Sequence, residues 1–361
     1  MKTELSDPEI TSFHAEARQF WHDDYIDGSQ NVRSKSIASG DWVGNAANSS
    51  TINVSIAAQS TAGIQWYGYS TDGGQSWNNS TSGWLTLPNT ETSGTSYLFH
   101  VVSYSGRETV WSETPFIIRV DTTRPTVGDI HYEVLTATDN VFSDILGILT
   151  NGLYFGRKVR VLATASDSGT VASGVAIMSI EVGSTRHDMT LVENNGNPYY
   201  YYDLDAGTPV NYVLDIWAWD EASNYNWSEV WPYLGNITID ATAIPAPTAT
   251  SSASAWTNGD VSITVTDNNT GAAANASGTQ RVEYSFDNGE HWYTDTRTSG
   301  SATFTPALTD GILTGLTVSV SDGNSYDGTV SFRTVSNAII PEAPGYLTSA
   351  ETSVTVRIDK T

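Results

Sequence analysis

The chain has 361 residues and no cysteine. That length bounds it at two or three domains of ordinary size, each built without a disulfide framework. With 16 lysines and arginines against 40 aspartates and glutamates, its formal charge of −24 excludes nucleic acid and anionic lipid as partners and suits divalent cations. Met1-Lys2-Thr3-Glu4 opens polar sequence without the apolar segment of a secretory signal. No run of about 20 apolar residues is present to insert in a membrane. Abundant Ser, Thr, Asn and Gly beside few lysines fit an exported β-protein.

Residues 1–31 read as a separate helical segment. Asp7-Pro8-Glu9 has the form of a helix start, with an N-cap carboxylate, Pro in the first turn and Glu behind it. Ile10, Phe13, Ala17, Phe20 and Trp21 then fall on one helical stripe, and Asp27-Gly28 stops it. From Val32 onward the pattern changes to strands. Ile52, Val54 and Ile56 alternate with polar residues; Ile64–Ser70 follows, then the turn Asp72-Gly73-Gly74, then strands over 97–104 and 110–120. The next stretch offers strands over 154–166, 175–182, 199–204 and 211–219. The last offers Val261, Ile263 and Val265 in alternation, then 281–286, 316–320, and Val354, Val356 and Ile358. Short strands separated by Gly, Asn and Asp turns predict antiparallel sandwiches.

A strand ending in Asp and Thr occurs three times, at Asp121, Asp240 and Asp359, and the intervals are equal at 119 residues. Pro125 and Pro245 follow the first two. The repeat marks the last strand of a unit and the hinge to the next. It divides the chain into 32–123, 124–242 and 243–361, three sandwiches strung as a rod of beads. Ending on such a hinge, the chain reads as a fragment of a longer protein whose export signal and anchor lie outside it.

Particular stretches carry a resemblance. Trp256-Thr257-Asn258-Gly259-Asp260-Val261 and Tyr284-Ser285-Phe286-Asp287-Asn288-Gly289-Glu290-His291-Trp292 are similar to the opening strand and hairpin of bacterial immunoglobulin-like repeats in large Gram-positive surface proteins. The hairpin recurs as Tyr69-Ser70-Thr71-Asp72-Gly73-Gly74-Gln75-Ser76-Trp77. In the middle unit, Val159 to Asp167 with Ser173-Gly174-Val175, and Trp217-Ala218-Trp219-Asp220-Glu221-Ala222-Ser223-Asn224, resemble a sister pattern, with Ser223 where that pattern has Gly. The resemblance covers about 32–361. It implies an all-β tandem array of three Ig-like sandwiches, extracellular and attached to a cell surface. It says little about ligand, because one fold hosts many functions. Ser336–Leu347, with Pro341 and Pro344, is extra to the pattern and reads as a loop re-shaped for binding.

No catalytic constellation emerges. The six histidines show no metal-protease spacing, and no nucleophile elbow or thiol exists. Ser70–Trp77 and Ser285–Trp292 also match the Asp-box of sialidases. There the box is a structural turn: Asp caps backbone N–H groups, Gly takes positive φ and Trp packs into the core. The 119-residue repeat is far from a propeller blade of about 40–50 residues. The chain is therefore read as a non-enzyme.

Calcium in a structural role is the expected ion, with no cofactor required. Asp167, Asp220 and Glu221 sit at strand ends that should meet at one pole, and Asp121 and Asp240 lie at hinges. Binding is expected from aromatics, since 12 Trp, 18 Tyr and 9 Phe exceed what the cores need. Tyr199, Tyr200, Tyr201 and Tyr202 must place two rings outward on a strand. Phe13, Phe20 and Trp21 offer a second surface if the helical stripe is free. The expected function is adhesion by a monomer to a host protein, an antibody among the options, or to a glycan. A passive stalk, or an accessory region of a secreted glycoside hydrolase, is the alternative.

Overall fold

The computed structural model describes residues 6–19, 21, 32–44, 50–111, 115–137, 141–144, 153–193, 197–205, 210–226, 233–271, 273, 276–343 and 345–361. Among them every regular element is a β-strand. The chain groups into two compact units. One comprises Met1–Ile130, Ala163–Tyr200 and Asp215–Tyr233; the other His131–Leu162, Tyr201–Leu214 and Leu234–Thr361. The division cuts through Thr126–Leu135, Val159–Ser166, Tyr199–Leu204, Val210–Asp220 and Tyr233–Ile239.

The first unit opens with β1 (Glu9–Gln19), β2 (Arg33–Ser36), β3 (Trp42–Gly44), β4 (Thr51–Gln59) and β5 (Ile64–Ser70). It continues with β6 (Asn78–Ser80), β7 (Trp84–Leu87), β8 (Thr92–Ser103), β9 (Glu108–Val110) and β10 (Phe116–Asp121). One sheet has the order β2-β1-β4-β7, the other β3-β10-β8-β5-β6 with β9 added to β8. Ala15, Ala17, Ile52, Val54 and Leu85 of the first share one core with Tyr97, Phe99, Val101, Ile118 and Val120 of the second. This is a two-layer sandwich, as the alternation in β4 required.

The N-terminal helix is corrected by β1. From Phe13 the chain alternates strictly: Ala15, Ala17 and Gln19 are buried, while His14 and Arg18 are exposed. Period two places Phe13, Ala15, Ala17 and Gln19 on one sheet face and His14 and Arg18 on the other. The helical stripe drew on Phe13 and Ala17 but left out Ala15 and Gln19, which the strand buries beside them. β1 pairs antiparallel with β4 from Glu9↔Gln59 to Arg18↔Thr51, with a bulge between Ile10 and Ser12, and with β2 on its other edge. Two ladders of backbone hydrogen bonds outweigh the weak helix preference of Ala, Glu and Arg. Residues 9–19 are therefore integral to the first sheet. Phe20 lies outside the described residues.

In the second unit, the strands Thr248–Ser251, Val261–Thr266, Ile312–Val320, Ala302–Thr309 and Arg297–Ser299 form one sheet in that order. Val261, Ile263 and Val265 face inward with polar neighbours outward. They share a core with Val282 and Tyr284, Val330 and Phe332, and Val356 and Ile358, contributed by Thr279–Ser285, Ser325–Ile339 and Thr352–Asp359. The extra segment is no free binding loop. Ser325–Ile339 runs long, and Tyr346–Thr348 folds back on it at Ile339↔Tyr346 and Val335↔Thr348. Arg157 grips the turn between them through Glu342 at 2.9 Å, and Ala338 and Ile340 are buried.

Candidate functional site

The first unit gathers three aspartates from three strand ends. Asp121 closes β10, Asp167 follows Val159–Ser166 and Asp220 ends Val210–Asp220. One carboxylate oxygen from each lies within 4.8 Å of the other two, and Asp121 and Asp220 are fully buried. Sequence reasoning put Asp167 and Asp220 at one pole, and they do meet there. It placed Asp121 at a hinge without joining it to that pair. Glu221 is exposed and stays outside the cluster. Its backbone N–H donates to the Gly174 carbonyl at 2.9 Å.

Each carboxylate is positioned by the local chain. Asp121 Oδ1 accepts from the Thr123 N–H and its Oδ2 from the Ser173 N–H, both at 2.8 Å. Asp167 Oδ2 accepts from the Gly174 N–H at 2.6 Å. Asn224 organises the rest: its N–H and side-chain amide donate to Asp220 at 2.7 and 2.9 Å, and the amide also reaches the Asp121 carbonyl at 3.2 Å. The tight turn that returns Asn224 to Asp220 needs Ser223 at φ 69°, the position where the resembling pattern has Gly.

The electrostatics are unfavourable without a counterion. Burial, with the neighbouring charges of Asp121 and Asp167 adding to it, pushes Asp220 up to about 8 against the hydrogen bonds from Asn224. Burial also raises Asp167. Asp167 Oδ1 is buried and has no hydrogen-bond partner. A buried acceptor left unmatched is costly, as are crowded like charges. Hard carboxylate oxygens crowded around such an atom fit a hard cation such as Ca²⁺. Asp121, Asp167 and Asp220 are the residues that would hold it.

The second unit repeats the frame with less charge. Asp240 Oδ2 accepts from the Ser277 N–H at 2.8 Å, as Asp121 does from Ser173, and its Oδ1 accepts from Thr242. The Asn337 N–H donates to the Gly278 carbonyl as Glu221 does to Gly174. That correspondence sets Ser336 where the first frame has Asp220. Asp267 is matched by the Asn269 N–H and the Thr334 hydroxyl, both at 3.1 Å. Burial raises Asp240, but the bonds from Thr242 and Ser277 outweigh it and hold the group below its ordinary value. A second ligand-like group, Asp287, Glu290 and His291, lies on the surface. There Asp287 is taken up by its own turn.

That turn and its partner at Asp72 fold as the Asp-box reading expects. Asp72 accepts from Ser70 Oγ at 2.7 Å and the Ser76 N–H at 2.9 Å; Asp287 accepts from Ser285 Oγ at 2.7 Å and the His291 N–H at 3.0 Å. Gly74 and Gly289 take positive φ. The tryptophans depart from expectation. Trp77 stacks on His100 and Trp292 lies against Arg333, outside the two cores.

The aromatic candidates are mostly occupied. Phe13 stacks on Trp111 at 3.6 Å and packs against Phe99 and Phe116. Trp21 donates its indole N–H to the Arg33 carbonyl at 3.0 Å beneath Lys35. Tyr200 is buried, and Tyr199, Tyr201 and Tyr202 are half-buried. Tyr201 is covered by the Arg160 guanidinium at 4.0 Å, itself held by both oxygens of Asp203. Among the described residues, the rings left most open are Trp84, Tyr104 and Trp256, at 51, 69 and 54% exposure. Strand alternation alone does not single them out.

No protein-family model matches the chain, and no curated protein matches it significantly. Among solved structures, the fibronectin(III)-like modules of Clostridium thermocellum CbhA align at 14% identity over 56% of this chain and 90% of theirs, with a TM-score of 0.35. The FN1-FN3 domains of chicken CNTN1 align at 10% identity over 84% of this chain and 94% of theirs, TM-score 0.29. Bacteroides ovatus SGBP-B, in complex with a mixed-linkage heptasaccharide, aligns at 12% identity over 98% of this chain and 71% of its own, TM-score 0.19. At these values the functional reading rests on the chain's own residues.

Proposed function

We propose that this chain is a non-enzymatic, calcium-stiffened region of an extracellular surface protein, built from three consecutive Ig-like sandwiches, the first widened by β1 to 9–123 and the others over 124–242 and 243–361. The observation that carries the reading is the trio Asp121, Asp167 and Asp220, two of them fully buried and the half-buried Asp167 carrying an Oδ1 without a hydrogen-bond partner. A cation there would tie the end of β10 to the Asp167 and Asp220 strand ends and fix the turn that follows Asp121. Its role is structural, holding three strand ends together. Calorimetric titration of chelator-treated protein with CaCl₂ tests it. Saturable binding is expected in the native chain, lost in Asp167→Asn and retained in Asp267→Asn, the counterpart in the second frame. Absence of binding heat together with an unchanged melting midpoint would sink the calcium reading.

A second reading, adhesion to a host protein or glycan, is favoured by Trp84, Tyr104 and Trp256. Exposed indole and phenol rings serve as sugar platforms and protein anchors. A glycan array run beside capture of immunoglobulin separates the classes. Binding that disappears in Trp84→Ala or Trp256→Ala supports adhesion, whereas silence in both formats leaves the stalk.

A further inference from the structure

The first sheet turns its outer face to solvent, and Trp84 stands at one edge of it. Trp84 pairs with Ser55 on β4, and Ser55 pairs with His14 on β1. The next row runs from Thr86 through Asn53 and Glu16 to Ser36 on β2. Residues paired directly across strands share a face, while Ile52, Val54, Leu85 and Ala15, which alternate with them, go to the core. Together the two rows cross all four strands, a span of roughly 14 Å at ordinary strand spacing. Trp84 is their one apolar side chain; the others offer hydroxyl, amide, imidazole and carboxylate groups.

Local bonds hold these groups in place. The Trp84 N–H donates to Ser82 Oγ at 3.1 Å, and the Ile56 N–H donates to the Gly83 carbonyl at 2.7 Å. A Cβ at Gly83 would stand 2.2 Å from the Ile56 carbonyl oxygen, so glycine is what lets β7 start hard against β4. With its backbone fixed in this way, Trp84 is still 51% exposed. Beside it, Thr86 Oγ1 donates to Asn53 Oδ1 at 3.0 Å, which leaves the amide nitrogen to act as a donor. Ser34 Oγ donates to Glu16 Oε1 at 3.2 Å, and His14 Nε2 is 4.0 Å from Glu16 Oε2. Side chains already held lose less freedom when a ligand arrives.

The composition of the face selects its ligand. A protein partner needs a desolvated cluster of apolar anchors, and a single ring among polar side chains does not supply one. A pyranose needs a flat ring under its C–H face, with donors and acceptors placed around its hydroxyls. Glu16 and Arg18 share the face and offset each other, while the whole chain carries −24, so a sulfated or sialylated glycan is repelled. We infer that the outer face of the β2-β1-β4-β7 sheet binds a neutral oligosaccharide, with Trp84 under one sugar ring and Ser55, Asn53, His14 and Glu16 along the chain that runs toward β2. The inference rests on the adhesion reading above and narrows it to one face and one ligand class.

Affinity electrophoresis of the whole chain through gels containing hydroxyethylcellulose, arabinoxylan, galactomannan or dextran tests it, with heparin as the anionic control. At least one neutral polymer should retard the native chain, and heparin should not. For that polymer, Trp84→Ala should weaken binding about tenfold or more and Asn53→Ala about fivefold, while Trp256→Ala changes nothing. Because Trp84 is exposed, its replacement should leave the melting midpoint in place, which separates a lost platform from a lost fold. Retardation that survives in Trp84→Ala, or that comes from heparin alone, overturns the proposal. Silence across the neutral panel overturns it too; immunoglobulin capture that then fails in Trp84→Ala would leave the adhesion reading standing without the sugar. If Trp84→Ala fails to fold, Asn53→Ala decides it.

Discussion

Ser223 shows how much one residue can reveal about the site. It adopts φ 69° while buried, whereas the other described non-glycine residues at positive φ are Asp or Asn. Those side chains tolerate the left-handed region; serine does so less readily. The turn persists because Asn224 must come back to bond Asp220. Ser223→Gly should therefore raise stability by about 1 kcal/mol, read as a higher melting midpoint, without loss of calcium binding. A lower midpoint would mean that contacts of the serine hydroxyl outweigh its backbone cost. The departure was visible in the sequence, because Ser223 stands where the resembling pattern has Gly. Asp167 and Asp220 were legible too, as carboxylates at strand ends. Asp121 was harder to join to them: its partner Ser173 is 52 residues away, and only the fold makes them neighbours.

At the scale of elements, β1 and the tyrosine strand teach opposite lessons about periodicity. Both period readings fit Phe13 and Ala17, and the deciding residues were Ala15 and Gln19, too small or too polar to score as apolar. With β1 in the sheet, Phe13 is a packing residue stacked on Trp111 and set against Phe99 and Phe116. Phe13→Ala should cost about 2–3 kcal/mol, less than full burial would imply because the ring is half-buried. Denaturant unfolding followed by Trp111 fluorescence measures it; an unchanged midpoint would restore Phe13 to the surface. The strand Tyr199–Leu204 was correctly read as alternating. What alternation does not reveal is cover: the outward Tyr201 is capped by Arg160 from the neighbouring strand. The strands that end at Asp121 and Asp240 were legible because their Asp and Thr recur, and the same pair of hydrogen bonds holds each carboxylate.

For the molecule as a whole, charge sets the terms. Arg119, Arg160, Arg186, Arg281, Arg297 and Arg333, half of the 12 arginines, lie over aromatic rings. Five of the six also pair with a carboxylate, but 16 cations cannot offset 40 carboxylates, and in the first unit three of those are packed together. This has a signed consequence for pH. Asp220 is raised in the folded state to about 8, against an unfolded value of about 3.9. The metal-free fold therefore holds a proton that the unfolded chain releases, and this contribution, present at about pH 4, is lost as pH rises toward 8. Asp287, held at about 2 by its turn, acts in the opposite sense but only below about pH 4, so it is silent in this window. In chelator, the melting midpoint of the native chain should fall from about pH 5 to about pH 8, and Asp220→Asn should remove most of that slope. Calcium needs the ionised trio, so its stabilising shift should be small near pH 5 and grow toward pH 8 as the proton is displaced. A calcium shift of equal size at both ends would mean that the ion binds elsewhere on this acidic surface.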